Sequence, residues 1–240
     1  MKRYTYRNEQ IMRHLQHDEA FREVYERFVQ SPWRRNHIDE KTKQLLLVAL
    51  AASPTHLSDE AARTHIAQAF AAGATREEIA EVLHVVSILG VHACSAAIPP
   101  MTAHFKTEGA LSKTGAYTAE QRARKEQFIE TMGYWNVFRD DLLELDVDYF
   151  DAYYDFLTLP IRRGILPPKT IEFMYIAIDA STTHLFTKGI ELHIQNAIRY
   201  GATEQELLEV IQLTSAQGFD TLLHMYPILE EEAKKYNGRG

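Results

Sequence analysis

The sequence predicts an all-α chain made of two tandem copies of one helical unit, and three observations predict it. Sliding the 240-residue sequence against itself by 128 positions aligns residues 21–101 with 149–229 without a gap. About two dozen of those 81 pairs are identical, well above the roughly one in sixteen expected from ordinary residue usage. Helix starts and stops punctuate the apolar runs at matching places in both copies. No stretch alternates polar and apolar residues with period two, as a half-buried strand would.

Taken in order, each copy reads as a series of helices. Asp39 precedes the run KQLLLVALAAS, and Pro167-Pro168 precedes IEFMYIAIDAS; proline suits a first helical turn, where its missing N–H costs nothing. A polar turn follows, SPTH in one copy and STTH in the other, and then a helix that should end at Gly73 or Gly201, where a left-handed residue caps cheaply. Thr75 with Glu78, and Thr203 with Glu206, form capping-box patterns that open the next helix. That helix is expected to stop near Pro99-Pro100 and near Pro227. HFKTEGALSKTGAY reads as the connector, after which Thr118 and Gln121 open a further helix. The domain reading is therefore a first copy at 1–101, a linker at 102–117 and a second copy at 118–240.

Composition narrows the function classes. The net charge of -7 leaves little basis for neutralising a polyanion, so nucleic acid is not expected as a partner. Cys94 is the only cysteine, so no intrachain disulfide can form, and a reducing cytoplasmic setting fits. The N-terminal MKRYTYRNEQIMRHLQH lacks the apolar core of a secretory signal. The most apolar stretch, VLHVVSILGVHACSAAIPP, is interrupted by two histidines and two serines and reads as a buried helix rather than a membrane span.

The repeated histidines are the candidate chemistry. His65 and His193 occupy the same position in the two copies, each on the apolar stripe of its helix. A lone histidine there is commonly a hydrogen-bonded core residue. Retention in both copies, which differ at most other positions, favours a role beyond packing, although a shared packing requirement stays open. His56 and His184, with Thr55 and Thr183 beside them, fall in the preceding turns, where side chains can line a pocket. His84 and His92 have no histidine counterpart, Gln212 and Asp220 standing in their places. Spacings of nine and eight between histidines lack the close helical spacing of metal ligands, so no metal is expected.

The segments RTHIAQAFAAGATREEIAEVL and ELHIQNAIRYGATEQELLEVI, each following an apolar helix and a polar turn, resemble the carboxymuconolactone decarboxylase family, which includes alkylhydroperoxidase D. The resemblance covers roughly 80 residues per copy. It implies two alkylhydroperoxidase D-like all-helical domains and assembly in threes or sixes, with sites where helices and subunits meet. In the family's redox branch a Cys-x-x-Cys pair precedes the histidine. Those positions here are Ser58 and Ala61, or Phe186 and Gly189, and a dithiol cycle needs two thiols. That branch also uses a glutamate on the preceding helix, which Glu172 matches and Gln44 replaces in the first copy. The sequence looks more like the decarboxylase branch, which lacks the cysteines.

The resemblance thus implies a cofactor-free acid–base lyase acting on a small carboxylated or lactone-type metabolite. His65 and His193 are the expected catalytic residues, with Glu172 tuning His193. His56, His184, Thr55, Thr183 and His92 are the expected substrate-binding residues. No cofactor and no membrane partner are expected, and a homo-oligomer is, with a trimer ahead of a dimer. Two alternatives stand: peroxidase-type redox activity, against which the absent thiols argue, and a non-catalytic ligand-binding or structural oligomer.

Overall fold

The computed structural model describes residues 6–108 and 117–237. They form fourteen α-helices and two 3₁₀ turns, with no strand among the described residues. In chain order the helices are α1 (Tyr6–His14), α2 (Glu19–Val29), α3 (Ser31–Arg35), α4 (Glu40–Ala52), α5 (Asp59–Ala71), α6 (Arg76–Ser87) and α7 (His92–Thr107). They continue as α8 (Ala119–Met132), α9 (Phe138–Leu145), α10 (Val147–Arg163), α11 (Pro168–Ala180), α12 (Thr187–Arg199), α13 (Glu204–Ser215) and α14 (Asp220–Asn237). The 3₁₀ turns, Ile88–Val91 and Ala216–Phe219, precede α7 and α14.

Over the matched stretches 21–101 and 149–229 helix order is the same, with one difference: α10 is continuous where the first copy breaks at Gln30 into α2 and α3. The expected punctuation is present. Asp39 caps α4 through Thr42 N at 3.0 Å, Pro168 occupies the first turn of α11, and Gly73 and Gly201 take left-handed φ of 90° and 81°. Both capping boxes close, at Thr75/Glu78 and Thr203/Glu206. Lys41–Glu78 at 2.7 Å and Lys169–Glu206 at 2.8 Å repeat the same ion pair, one in each copy.

Three expectations need correction or qualification. Pro99, Pro100 and Pro227 lie inside α7 and α14 rather than ending them. A proline removes one backbone bond and bends a helix, but packing on either side can carry the helix through. Ser95 Oγ on His92 O and Thr102 Oγ1 on Pro99 O supply local hydrogen bonds around the α7 prolines. α7 also extends through Thr107, into the first residues of the 102–117 segment, while 109–116 lie outside the described residues. Finally, the apolar stretch is only partly buried. Burial is dense through Leu89, but Thr102 is the one buried residue of α7. By length and composition Arg76–Thr107 could cross a membrane, with 28% of its apolar window buried.

The chain divides into two compact units that cut across the sequence copies. The first comprises residues 1–86 and 166–240. Here α4 packs on α5, α11 on α12, and α4 and α11 on each other. α14, the last helix of the second copy, lies against α1, over a core of Ile11, Leu15, Tyr25 and Val29 joined by Phe219, Leu222 and Tyr226. The second unit comprises residues 87–165, where α7, the last helix of the first copy, packs on α9, and α9 and α8 on α10. Its centre is aromatic. Arg139 is buried with its guanidinium 4.6 Å from the Phe128 and Phe138 ring centres, and its Nε donates to Tyr153 Oη at 3.0 Å. Burial pushes the Tyr153 phenol well above its usual range. Tyr117 donates to Asp140, which also accepts from Lys125 and the Trp135 indole.

Candidate active site

The paired turns place the histidines. In each, the backbone N–H groups of the histidine and of the leucine after it donate to a serine carbonyl: His56 and Leu57 to Ser53 O, His184 and Leu185 to Ser181 O. Leu57 and Leu185 hold left-handed φ of 44° and 49°, a conformation that costs a β-carbon-bearing residue energy and that the surrounding structure must enforce. Thr55 Oγ1 and Thr183 Oγ1 lie 3.1 Å apart. Each meets its own counterpart 128 residues away, as residues beside a local twofold do. These two candidate substrate-binding hydroxyls thus join the turns to one another, and Ser53 and Ser181 back them at 2.9 and 3.2 Å.

The two family-position histidines differ in environment. His65 is 1% exposed, and its Nδ1 lies 3.1 Å from Gln44 Oε1. The side chain of His193 is 14% exposed, and its Nδ1 lies 2.7 Å from Glu172 Oε2. Glu172 is buried and also accepts from Asn196 Nδ2 at 3.3 Å, so its carboxylate is held from two sides. Tyr175 stacks on the His193 ring at 4.5 Å, tilted 30°. The structure therefore brings together His193 and Glu172, and, separately, His65 and Gln44.

Asp179 was not among the candidates from sequence. It ends the apolar face of α11 and is 1% exposed. Its Oδ2 lies 4.0 Å from His193 Nε2, too far for a hydrogen bond, and its Oδ1 lies 3.7 Å from His184 Nε2. Burial pushes its pKa up to about 7, with His193 pulling the other way. Burial also lowers the pKa of His184, which favours the neutral imidazole. Room for the Asp179 carboxylate comes from Gly189. A β-carbon there would stand 1.9 Å from Asp179 Oδ2. The equivalent positions in the first copy are Ala51 and Ala61, so an alanine pair has become an aspartate–glycine pair. That exchange is visible when the copies are aligned and was the available signal for Asp179.

His56 takes a different partner. His56 Nε2 stands 2.9 Å from Asp220 Oδ2, off the alignment of a hydrogen bond. It lines a pocket with about 460 Å³ of empty space, part of it open to solvent, whose lining includes neither His65 nor His193. His92 begins α7 in the second unit, half-buried. Cys94, in the same helix, has its Sγ 3.6 Å from Tyr149 Oη.

A family model for carboxymuconolactone decarboxylases matches residues 19–103 and again 148–231. The chain belongs to the carboxymuconolactone decarboxylase family. A crystal structure from Burkholderia xenovorans LB400, of a protein provisionally described as a gamma-carboxymuconolactone decarboxylase subunit, is 36% identical with a TM-score of 0.87. The match covers 96% of this chain and 97% of that one. Among curated proteins none matches the chain significantly. The tandem all-α architecture read from the repeat is thus the family's own, with one family match per copy.

Proposed function

We propose that this family member is an acid–base lyase acting on a small carboxylated or lactone-type metabolite, with the second copy as its working site. The observation that carries the reading is one imidazole between two buried carboxyl groups, one hydrogen-bonded to it and one beyond its far nitrogen. Glu172 grips Nδ1 of His193 at 2.7 Å, while Asp179, with a pKa near 7, stands beyond Nε2. A carboxyl group whose pKa lies near neutral pH, beside an imidazole in a partly buried site, suits general acid–base work.

Decarboxylation of a lactone acid breaks the bond between the ring carbon and its carboxylate. Carbon dioxide leaves, and the electron pair passes into the conjugated lactone carbonyl. One proton is then delivered to carbon, so the step consumes a proton and transfers no electron to or from an external acceptor. Either Asp179, with a pKa near 7, or His193, oriented by Glu172, can supply that proton to carbon. His184 remains a candidate for substrate contact, whereas His56 lines a pocket that does not include His193. The cytoplasmic setting inferred from the lone cysteine belongs to the same reading.

The dithiol alternative gains no support from the second copy. Gly189, at one of the two cysteine positions, has no space for even a β-carbon while Asp179 stays in place. A packing role is favoured for His65 alone, given its near-complete burial and neutral Gln44 partner.

The test takes γ-carboxymuconolactone as first candidate substrate and follows carbon dioxide release. His193→Ala should lower the rate about a hundredfold or more, the usual cost of removing a general acid or base. His65→Ala, with folding verified, should lose much less. Equal losses would make the two sites equivalent and reduce Glu172 to a structural helix residue. If neither substitution matters, the histidines are core residues and the enzyme reading fails with them.

A further inference from the structure

The pocket beside His56 is lined entirely by residues of the first compact unit. Its walls are mainly apolar, with Leu47 and Leu50 from α4, Leu213 from α13 and Phe219. Three polar side chains interrupt them. His56 and Asp220 face each other at 2.9 Å. Gln217 differs, because it is 8% exposed and neither its Oε1 nor its Nε2 has a hydrogen-bond partner. A carboxamide can donate two hydrogen bonds and accept two, and native interiors seldom leave both ends unused. The residue 128 positions earlier is Leu89, also buried, so an apolar side chain suits the equivalent position. A polar group where leucine would pack points to a partner from outside the chain.

We propose that this pocket binds a small, mainly apolar molecule whose polar end carries a carbonyl oxygen and an N–H on adjacent atoms, a cyclic amide being the simplest case. The edge of a primary carboxamide pairs with such a group through two hydrogen bonds. Gln217 Nε2 donates to the ligand carbonyl, and the ligand N–H donates to Gln217 Oε1. A carboxylate would offer two acceptors, leave Oε1 unpaired and be repelled by Asp220. Both amide atoms of Gln217 are closed to bulk water, so the side chain must turn on its flexible stem to meet the ligand. The pocket is partly open to solvent, so it need not enclose the whole ring. This site is separate from the chemistry at His193 and asks only that a ligand bind.

The experiment is an NMR titration of the full chain, following side-chain amide resonances, with δ-valerolactam, its N-methyl derivative and δ-valerolactone. The N-methyl compound lacks the donor, and the lactone replaces it with oxygen. The lactam should shift the Gln217 amide and bind at least tenfold more tightly than either analogue. Gln217→Leu should abolish that preference while melting at the same temperature as the parent or higher, because it removes two unsatisfied groups. His193→Ala should leave the lactam titration unchanged, which separates this site from the proposed active site. Equal binding of the three compounds to the parent protein, or no binding of the lactam, would overturn the proposal whether or not the leucine variant folds. So would a lactam preference that survives in the leucine variant.

Discussion

Asp179 and Gly189 stand where the first copy has Ala51 and Ala61, and each explains the other. A carboxyl group placed on the buried face of a helix without a hydrogen bond to Oδ2 is driven toward its neutral form. Its pKa rises from 3.8 to about 7 in the folded chain. Between those values the folded state binds more protons than the unfolded state, so stability falls as pH rises through that window and levels off above it. Asp179→Asn cannot ionise and should escape the loss. Its stability gain over the parent should be about 1–2 kcal/mol at pH 5 and reach about 2–4 kcal/mol at pH 8, taking about 1.4 kcal/mol per pKa unit as the ceiling. Thermal unfolding of both proteins at the two pH values checks this. An equal increment at both would mean that Asp179 ionises like a surface carboxylate. In the sequence, Glu172 and His193 could be paired because the copies and the family pattern both pointed at them. Asp179 was hidden, because an acid at the end of an apolar run reads as the solvated end of a helix. Burial is a tertiary property that only the three-dimensional packing of α11 on α12 reveals.

At the level of elements, the copies are joined by a buried ion pair. Lys43 on α4 lies 3.2 Å from Glu209 on α13 and donates to Pro32 O at 2.6 Å, with both charged side chains almost wholly buried. Glu209 also accepts the backbone N–H groups of His37 and Ile38, at 3.0 and 2.8 Å. It thereby secures the loop between α3 and α4 to a helix of the other copy. Removing one partner of a buried pair leaves the other charge uncompensated, which typically costs about 3–5 kcal/mol. Lys43→Met should therefore lower unfolding stability by about 3 kcal/mol, and adding Glu209→Gln should restore part of it. Urea unfolding of the single and double variants measures both. A single variant within about 0.5 kcal/mol of the parent would show that the two backbone donors alone satisfy Glu209. This lock was not legible either: the second copy has Ile171 in place of Lys43, and Glu81, opposite number of Glu209, meets His84 at 3.0 Å. Helix starts were legible because caps are local chemistry. The stops at Pro99-Pro100 and Pro227 were misread because the balance between a lost backbone bond and tertiary packing is not local.

For the whole molecule, the duplication told how many helical units to expect but not which helix packs on which. The last helix of each copy packs with segments that precede the other copy's matched core, α14 on α1 and α7 on α9. That exchange leaves apolar stripes uncovered. α14 exposes Met225, Ile228 and Leu229, at the spacing of one helix face, α13 exposes Leu208 and Ile211, and α7 exposes Met101 and Phe105. Exposed apolar stripes of this kind are characteristic of association surfaces. The expected occupant is another copy of this chain. Three tandem chains would supply six helical units in closed symmetry, matching the threes and sixes implied by the family resemblance. Light scattering should then give three times the 27.6 kDa chain mass. Ile228→Glu together with Leu229→Glu should lower that mass without loss of helical circular dichroism, because both side chains are already exposed in the single chain. A parent protein that scatters as a single chain would sink the expectation. A dimer would retain the self-association but replace the threefold arrangement with a twofold one, and the glutamate variants would show whether α14 forms its contact.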